Sequence, residues 1–274
     1  MDSTDIDNTA AWLALLRAPG LGCRTLNPLI AAGHSPLQLL NHPPEPLASV
    51  AGDYLAQPAW EAIEHDLAWL REPSNHLLTI DQPSYPRRLR ELSDPPSGLF
   101  LHGDPELLGL PQLAIVGSRH PSRGALRGGG LTIAVAGTGL DRVYPAAHRE
   151  LAHEIASNGL LLSEFPLGTP PKPGNFPRRN RIIAGLCLGT LVVEAALKSG
   201  SLITARLAAE AGREVFAIPG SIHNPLARGC HRLIRNGAKL VETSDDVLEE
   251  IGPLLPGFSL APVAPIKGTD LPTG

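Results

Sequence analysis

Roughly the first seventy residues carry apolar side chains at helical spacing. Leu13 precedes a break at Pro19-Gly20-Leu21-Gly22, and Leu26 and Ile30 resume the pattern after it. This spacing places the apolar residues on one side of each helix, where the helices can pack together. The pattern predicts a small helical domain over residues 1–72.

The Gly20-Leu21-Gly22 turn lies between two of these predicted helices. It resembles the turn of a helix-hairpin-helix, in which backbone N–H groups can hold a DNA phosphate. A turn of this kind can equally be a tight connection that lets two helices pack, because a lone G-x-G is a weak signal. Both interpretations stay open on the sequence.

A different pattern starts at residue 113, where short apolar runs alternate with helical segments. Alternation of this kind predicts an α/β fold with a mostly parallel sheet and helices on both faces. The runs span residues 113–116, 132–136, 160–162, 191–193, 215–218 and 239–241.

Small and polar residues follow five of these runs. In a parallel sheet the corresponding loops emerge at one edge, beside helix N-termini, where open α/β folds bind ligands. Glycine is ordinary in any single strand-to-helix turn, but the five loops together predict a crevice for a phosphate-bearing ligand. The loops are Gly117-Ser118-Arg119, Gly137-Thr138-Gly139-Leu140-Asp141, Ser163-Glu164-Phe165-Pro166, Lys198-Ser199-Gly200-Ser201 and Pro219-Gly220-Ser221.

Three arginines crowd the start of a predicted helix over residues 175–186. Pro177 suits the first turn, where its missing N–H costs nothing. Arg178, Arg179 and Arg181 stand where the helix dipole disfavours cations. A phosphate there would meet free N–H groups and guanidinium groups together. The alternative is a solvated basic turn, since charge runs are usually exposed.

The net charge of the chain is -4 at pH 7. Coating of DNA by an overall basic surface is therefore excluded, and any contact with nucleic acid has to be a local patch. Residues 172–181 provide such a patch, with four cations and no acid.

Signatures of cofactor and metal sites are missing. The sequence has no G-x-x-x-x-G-K-[ST] loop, and Gly137-Thr138-Gly139 lacks the third glycine of a dinucleotide fingerprint. The 10 histidines show no H-E-x-x-H spacing, and the 3 cysteines form no C-x-x-C pair. We predict no cofactor, no metal site and no disulfide framework.

The cysteine usage is typical of a cytosolic protein. The first residues are acidic and polar, unlike a signal peptide, and no apolar run approaches the ~20 residues of a membrane span. We expect a cytoplasmic protein that is neither secreted nor inserted into a membrane.

Several motifs follow one another along residues 10–251. They are Leu77-Leu78-Thr79-Ile80, Tyr85-Pro86-Arg87-Arg88-Leu89, Ile115-Val116-Gly117-Ser118-Arg119, residues 137–145, Leu161-Leu162-Ser163-Glu164-Phe165-Pro166, the arginine helix, Ser199-Gly200-Ser201-Leu202-Ile203-Thr204-Ala205, Pro219-Gly220-Ser221-Ile222 and Gly237-Ala238-Lys239. Together and in this order they resemble the DNA-processing protein A family, also called DprA or Smf.

The resemblance implies a helical N-terminal domain followed by an extended Rossmann-like domain, here residues 73–251. It implies a homodimer that binds and protects single-stranded DNA and loads RecA recombinase onto it in natural transformation (competence) and recombination. No chemical reaction belongs to this role, so the resemblance implies a DNA-binding protein that is not an enzyme.

The resemblance also implies DNA contacts from the arginine helix and the loop at residue 117, and the predicted crevice adds the 199–201 loop. The arginines would bind phosphates bidentately. Asn180 would order the loop or reach a base edge, and Phe176 would stack on a base or belong to the core. The predicted contacts are Gly117, Ser118, Arg119, Lys172, Phe176, Arg178, Arg179, Asn180, Arg181, Ser199, Gly200 and Ser201.

Two segments depart from the family pattern. Fifteen glycine-rich residues, 117–131, separate two predicted strands at a place where the family carries a helix, a strand and another helix. We therefore predict a sheet that lacks one helix-strand-helix unit, with apolar surface exposed there. Residues 252–274, rich in proline and glycine, predict a flexible tail where many relatives continue into a winged helix.

Two other functions stay open. Glu164 and Glu194 lie near strand ends, as in Rossmann-like hydrolases that process nucleotides, although the P-G-G-x-G-T motif of those enzymes is absent. The shortened sheet is also compatible with a truncated, inactive relative.

Overall fold

A computed structural model describes residues 3–117 and 130–255, with side chains from residue 8 onward. The chain starts with helices that enclose an apolar cluster, in which Leu13, Leu26, Leu39, Leu47 and Ile63 are almost fully buried. These helices are α1 (Ser3–Arg17), α2 (Cys23–Ala31), α3 (Pro36–Asn41), α4 (Glu45–Ala56) and α5 (Trp60–Trp69). A small helical domain thus precedes the sheets, as predicted.

The eight strands of the described ranges form two four-stranded sheets. The first has the order β1-β2-β5-β4, and the second has the order β3-β6-β7-β8. The strands are β1 (Asn75–Thr79), β2 (Gly98–Gly103), β3 (Leu113–Val116), β4 (Ile133–Val135), β5 (Leu160–Ser163), β6 (Gly189–Val192), β7 (Glu214–Ala217) and β8 (Lys239–Leu240).

Most strand pairs are parallel, which confirms the α/β prediction. Among the strands of the described residues, only β1 with β2 and β2 with β5 are antiparallel, whereas four pairs are parallel. The six apolar runs of the sequence correspond to β3 through β8. The pattern did not predict β1 and β2. These two strands are antiparallel and lie before the region in which apolar runs alternate with helical segments, and Pro95-Pro96 lies between them.

Helices cover both faces of the sheets. The longer ones are α7 (Arg149–Asn158), α8 (Asn175–Leu186), α9 (Gly200–Glu210), α10 (Arg228–Arg235) and α11 (Ser244–Ile251), and α6 (Arg87–Arg90) is a single turn. Short 3₁₀ helices span Pro105–Gly109, Ala146–His148 and Gly252–Leu254.

Helix α8 belongs to the core of the first sheet. Ile182 and Leu186 are buried in the cluster that contains Leu99, Leu160 and Leu162 of β2 and β5. The same helix packs along α9, which covers the second sheet. The second half of α8 is therefore packed between the first sheet and α9.

The strands are divided into two sheets at the place where the sequence predicts that a helix-strand-helix unit is lacking. Strand β3 ends the second sheet and β4 ends the first, and the two are not paired with each other. Among the described residues near these strands, Ile115 is 61% exposed and Leu131 is 64% exposed. Apolar surface is thus exposed at this place, although the strands form two sheets rather than one.

The helical domain is attached to the first sheet by apolar and ionic contacts. Phe100 of β2 is buried within the helical cluster. Arg17 forms a bidentate ion pair with buried Asp66, at 2.5 and 2.6 Å, and also donates to the Leu167 carbonyl at 3.0 Å. The loop that follows β5 is therefore anchored to α1.

None of the helices in the described ranges is both long and apolar enough to cross a membrane. The predicted tail over residues 252–274 lies mostly outside the described residues, since the description ends at residue 255.

Two glycines allow β2, β5 and β4 to approach α7 closely. Gly103 has φ +117°, and a Cβ atom there would lie 2.3 Å from the Gly159 carbonyl oxygen. A Cβ atom on Gly159 would lie 2.3 Å from the Thr132 carbonyl oxygen. Both contacts are with backbone atoms, so no side-chain rotation can relieve them.

We expect Gly103→Ala to lower the free energy of unfolding by at least about 3 kcal/mol, because backbone strain and a backbone clash add. Gly33→Ala is the matched control, since Gly33 has φ +92° with no atom within 4 Å of its Cβ position. It should cost only about 1 kcal/mol. Urea denaturation of both variants measures the difference, and equal losses would contradict the backbone clash.

Candidate nucleic-acid interface

The arginine-rich helix begins directly after a loop that contains Lys172. Gly174 precedes α8, and no side chain caps the helix. Asn175 donates its backbone N–H to the Lys172 carbonyl at 3.0 Å and its side-chain N–H to the Gly137 carbonyl at 3.0 Å. The first turn is thus fixed to the loop after β4, and Lys172 stays exposed.

Glu164, which follows β5, holds two of the arginines. Its carboxylate forms ion pairs with Arg178 Nε at 2.8 Å and with Arg181 Nη2 at 2.5 Å. Residues 178 and 181 are three apart on a helix and therefore project from the same side. The Glu164 side chain is only 3% exposed, so one buried carboxylate orients both guanidinium groups.

Burial raises the pKa of Glu164, and the charges of Arg181 and Arg178 act in the opposite direction. The Ser163 hydroxyl donates to the Thr138 carbonyl at 2.7 Å and accepts the Phe165 N–H at 3.0 Å. These bonds fix the backbone on both sides of Glu164. The carboxylate is therefore held in place and occupied by guanidinium groups, an arrangement that does not favour a general base.

Arg181 does not reach the surface. Its side chain is 8% exposed, and it pairs with Asp94 at 3.3 Å as well as with Glu164. A phosphate could reach it only by displacing these internal carboxylates. The expectation that Arg181 contacts DNA directly is therefore not supported by its position, and we assign it to the support of Glu164.

Arg178 differs because its side chain is 52% exposed. Its guanidinium carbon lies 5.6 Å from the centre of the Phe165 ring, a cation–π distance. The ring and Glu164 hold one side of the group and leave the other side open to solvent. Arg178 can therefore bind an anion without losing its orientation.

Arg179 is turned toward the protein. It donates from Nη1 to the Val135 carbonyl of β4 and from Nε to the Asn180 side chain at 3.2 Å. Burial lowers the pKa of its guanidinium. In this structure Arg179 contacts the backbone of the sheet rather than solvent.

The loop before α9 lies beside the end of β3. The Ser201 hydroxyl donates to the Gly117 carbonyl at 3.0 Å, and the Ser199 hydroxyl caps α9 by accepting the Ser201 N–H at 3.2 Å. Buried Asn180 donates to the Gly200 carbonyl at 3.5 Å. The structure therefore brings Gly117, Asn180 and the 199–201 loop together.

Phe176 is half-buried and forms an aromatic pair with Tyr144, with ring centres 5.7 Å apart. Its ring also lies against Gly137, where a Cβ atom would be only 3.0 Å away. Tyr144 is 56% exposed. Phe176 thus supports an exposed aromatic face more than it supplies one.

Some predicted positions do not join this group. Ser118 and Arg119 lie outside the described residues. The Pro219-Gly220-Ser221 loop is bonded to α10, where His231 Nε2 lies 2.9 Å from the Gly220 carbonyl oxygen. In the described part of the chain, no cluster of His, Cys, Asp or Glu could hold a metal ion.

Tyr144 and Asp94 were not predicted as site residues. Tyr144 lies within the matched 137–145 motif, and an aromatic residue in a polar loop after a strand was a usable signal. Asp94 carries no such signal, because only the fold brings it to Arg181. The pairing of Glu164 with two arginines was also missed.

The helical domain approaches the same place. A cavity of about 40 Å³ is lined by Gly22 and Cys23 at the start of α2 and by Glu164 and Arg178. The glycine turn therefore serves as a connection packed near the arginine helix.

Comparison with known proteins places these residues in a family. The model of the family "DNA recombination-mediator protein A" matches residues 76–126 and 121–252. The change from one matched segment to the other falls in the glycine-rich stretch between β3 and β4.

Characterised relatives match most of the chain. Protein Smf of Escherichia coli is 43% identical over 226 residues, covering 70% of this chain and 60% of the relative. DNA processing protein DprA of Streptococcus pneumoniae is 45% identical over 199 residues, covering 61% of this chain and 71% of the relative. The chain thus spans less than two thirds of the length of the Escherichia coli protein.

Solved structures agree with the fold. The X-ray structure of DprA from Streptococcus pneumoniae has a TM-score of 0.78 at 36% identity, covering 88% of this chain and 97% of that chain. DNA processing protein A from Helicobacter pylori has a TM-score of 0.56 at 26% identity, covering 64% and 95%. The Helicobacter pylori protein binds single-stranded DNA.

We expect Arg181→Ala to lower the free energy of unfolding by about 3 kcal/mol, because it removes a charged partner from buried Glu164. Arg206→Ala is the control, since Arg206 is 66% exposed and pairs with Glu210 one turn away. That variant should lose less than about 0.5 kcal/mol. Chemical denaturation measures both, and similar losses would show that the buried cluster does not stabilise the fold.

Proposed function

Because the chain belongs to the DNA recombination-mediator protein A family, we propose that it binds single-stranded DNA at the surface around the start of α8. The observation that carries this proposal is the position of Arg178. It is a half-exposed cation, held by a buried carboxylate at an uncapped helix N-terminus.

Phosphate fits this surface for three physical reasons. The dipole of a helix N-terminus favours negative charge. Guanidinium groups bind phosphate oxygens with paired hydrogen bonds, and Lys172 adds a second exposed cation in the preceding loop. The loops at Gly117 and at residues 199–201 lie together beside Asn180 of the same helix.

Unpaired bases need a stacking face as well as phosphate contacts. Aromatic side chains stack on bases of any sequence, which suits binding without sequence preference. Exposed Tyr144, supported by Phe176, offers such a face next to α8. Double-stranded DNA keeps its bases stacked inside the duplex, so this face favours single strands.

The biological role follows from the family. We propose that the protein takes part in DNA processing during natural transformation and recombination, and that it acts in the cytoplasm by binding rather than by catalysis. Loading of RecA and homodimer formation are part of the same proposal, supported only by the resemblance of the motifs. Because the chain spans 60% of the Escherichia coli relative, we propose these properties and do not transfer them from it.

The decisive experiment is a fluorescence anisotropy titration of the 274-residue protein with single-stranded and double-stranded oligonucleotides at several salt concentrations. We expect tighter binding to the single strand and a clear decrease with salt. A parallel incubation with nucleotides tests the hydrolase alternative. Release of free base without oligonucleotide binding would overturn the proposal.

We expect Arg178→Ala to weaken binding to every single-stranded sequence alike, by about tenfold, because phosphate contacts carry no base information. The slope of log K against log salt should become shallower by about 0.7. Lys239→Ala is the control, since Lys239 lies in β8 at the far edge of the second sheet and pairs with Glu250. An Arg178→Ala protein with the affinity of the control would exclude Arg178 as a phosphate contact.

We also expect affinity for single-stranded DNA to rise as pH falls through the pKa of Glu164, which lies above its ordinary value of 4.5. Protonation removes the negative charge that competes with phosphate for Arg178, so the gain appears on the acid side of that pKa. Histidine protonation raises affinity too, and Glu164→Gln separates the two effects. The variant should keep only the histidine part. Identical pH profiles for both proteins would contradict competition by Glu164.

A further inference from the structure

The open edge of β4 presents a defined set of backbone groups. In a strand, the N–H and C=O groups of one residue point to the same side, and those of the next residue point to the opposite side. The Ala136 N–H donates to the Leu162 carbonyl of β5 at 2.7 Å, so the even-numbered residues face β5. Ile133, Val135 and Gly137 therefore face the side on which no strand of the described residues lies.

The same reasoning applies to β3. The Val193 N–H donates to the Val116 carbonyl at 2.9 Å, so Val116 faces β6. Ile115 and Gly117 face the other side, where β3 has no strand partner in the described ranges. Both strands thus direct backbone groups into the gap between the two sheets.

Side chains of α8 and α9 donate to the carbonyl groups at the ends of these open edges. Arg179 donates to Val135, Asn175 donates to Gly137 at 3.0 Å, and Ser201 donates to Gly117 at 3.0 Å. Each acceptor is a residue that faces the gap. The three side chains therefore supply hydrogen bonds that a strand lying between β3 and β4 would otherwise make.

We propose that Arg179 is a positioning residue of the DNA site, which closes the open edge of β4 and does not bind phosphate. An unpaired carbonyl on an edge strand costs free energy and leaves the strand free to fray or to pair with another chain. A long side chain with several donors can reach the edge from a helix and satisfy it. This inference rests on the proposed function, because the site it positions is the proposed DNA site.

The position of β4 matters to the surface beside it. Gly137 follows β4 and lies against the Phe176 ring, and Phe176 supports Tyr144. Release of Val135 from Arg179 would let the end of β4 move relative to α8. The aromatic face of Tyr144 and Phe176 would then move relative to α8, although every phosphate-binding cation would remain.

The three arginines accordingly have three roles. Arg181 is buried with Glu164 and Asp94, Arg179 closes the edge of β4, and Arg178 is half-exposed to solvent. Of the three arginines, only the loss of Arg178 should change the number of counterions released when DNA binds. The salt slope therefore separates a ligand from a positioning residue.

The test is a salt-dependent oligonucleotide titration of Arg179→Ala beside wild type and Arg178→Ala, far below the melting temperature. For Arg179→Ala we expect affinity about fivefold lower, the size of one net hydrogen bond, with the wild-type salt slope. A slope shallower by about 0.7, as in Arg178→Ala, would show a phosphate ligand and overturn the inference. Wild-type affinity with a lowered melting temperature would show a merely structural role and also overturn it.

Hydrogen–deuterium exchange tests the edge without DNA. In Arg179→Ala, amides of residues 133–139 should exchange faster than in wild type, while those of β7 in the second sheet should not change. Unchanged exchange in residues 133–139 would overturn the inference even if DNA binding falls. Absence of single-stranded DNA binding by wild type would instead refute the proposed function and leave the exchange result to decide the role of Arg179 at the edge.

Discussion

The buried carboxylate of Glu164 is the interaction on which the site depends. A charge in the core is costly unless it is paired and hydrogen-bonded. Glu164 forms ion pairs with Arg178 and Arg181, which lie on one side of α8, and accepts a hydrogen bond from Arg181. Because the loop carrying Glu164 is fixed by Ser163 and lies next to a segment anchored to α1 through Leu167, the same ion pairs align the sheet, the arginine helix and the helical domain.

This arrangement explains why three neighbouring cations are not equivalent. Helical spacing brings residues 178 and 181 to the same carboxylate, and depth in the fold decides their exposure. Arg181 is enclosed, whereas Arg178 keeps half of its side chain in solvent. A rigid, partly exposed guanidinium loses little conformational freedom on binding an anion, which is a physical advantage of pairing it internally.

The division of the sheet sets the second constraint. Parallel strands without neighbours leave backbone groups that need partners. In this chain, side chains from the first turns of α8 and α9 reach the open edges at Val135, Gly137 and Gly117. Arg179, Asn175 and Ser201, which are residue types common in phosphate-binding crevices, therefore form structural hydrogen bonds here.

Local pattern was sufficient for the parallel part of the fold. Apolar runs located β3 through β8, since each of these short strands coincides with a short run rich in apolar residues. The antiparallel strands β1 and β2 escaped the pattern because they lie outside the region in which short apolar runs alternate with long helices, and only resemblance to known motifs marked residues 77–80.

Local sequence predicts that cations, glycines and serines gather at the ends of strands and helices, because hydrophobic periodicity and the helix dipole act over a few residues. The solvent exposure of each cation depends instead on long-range packing. Burial and pairing depend on contacts such as Arg181 with Asp94, which are 87 positions apart in sequence, and no local pattern encodes them.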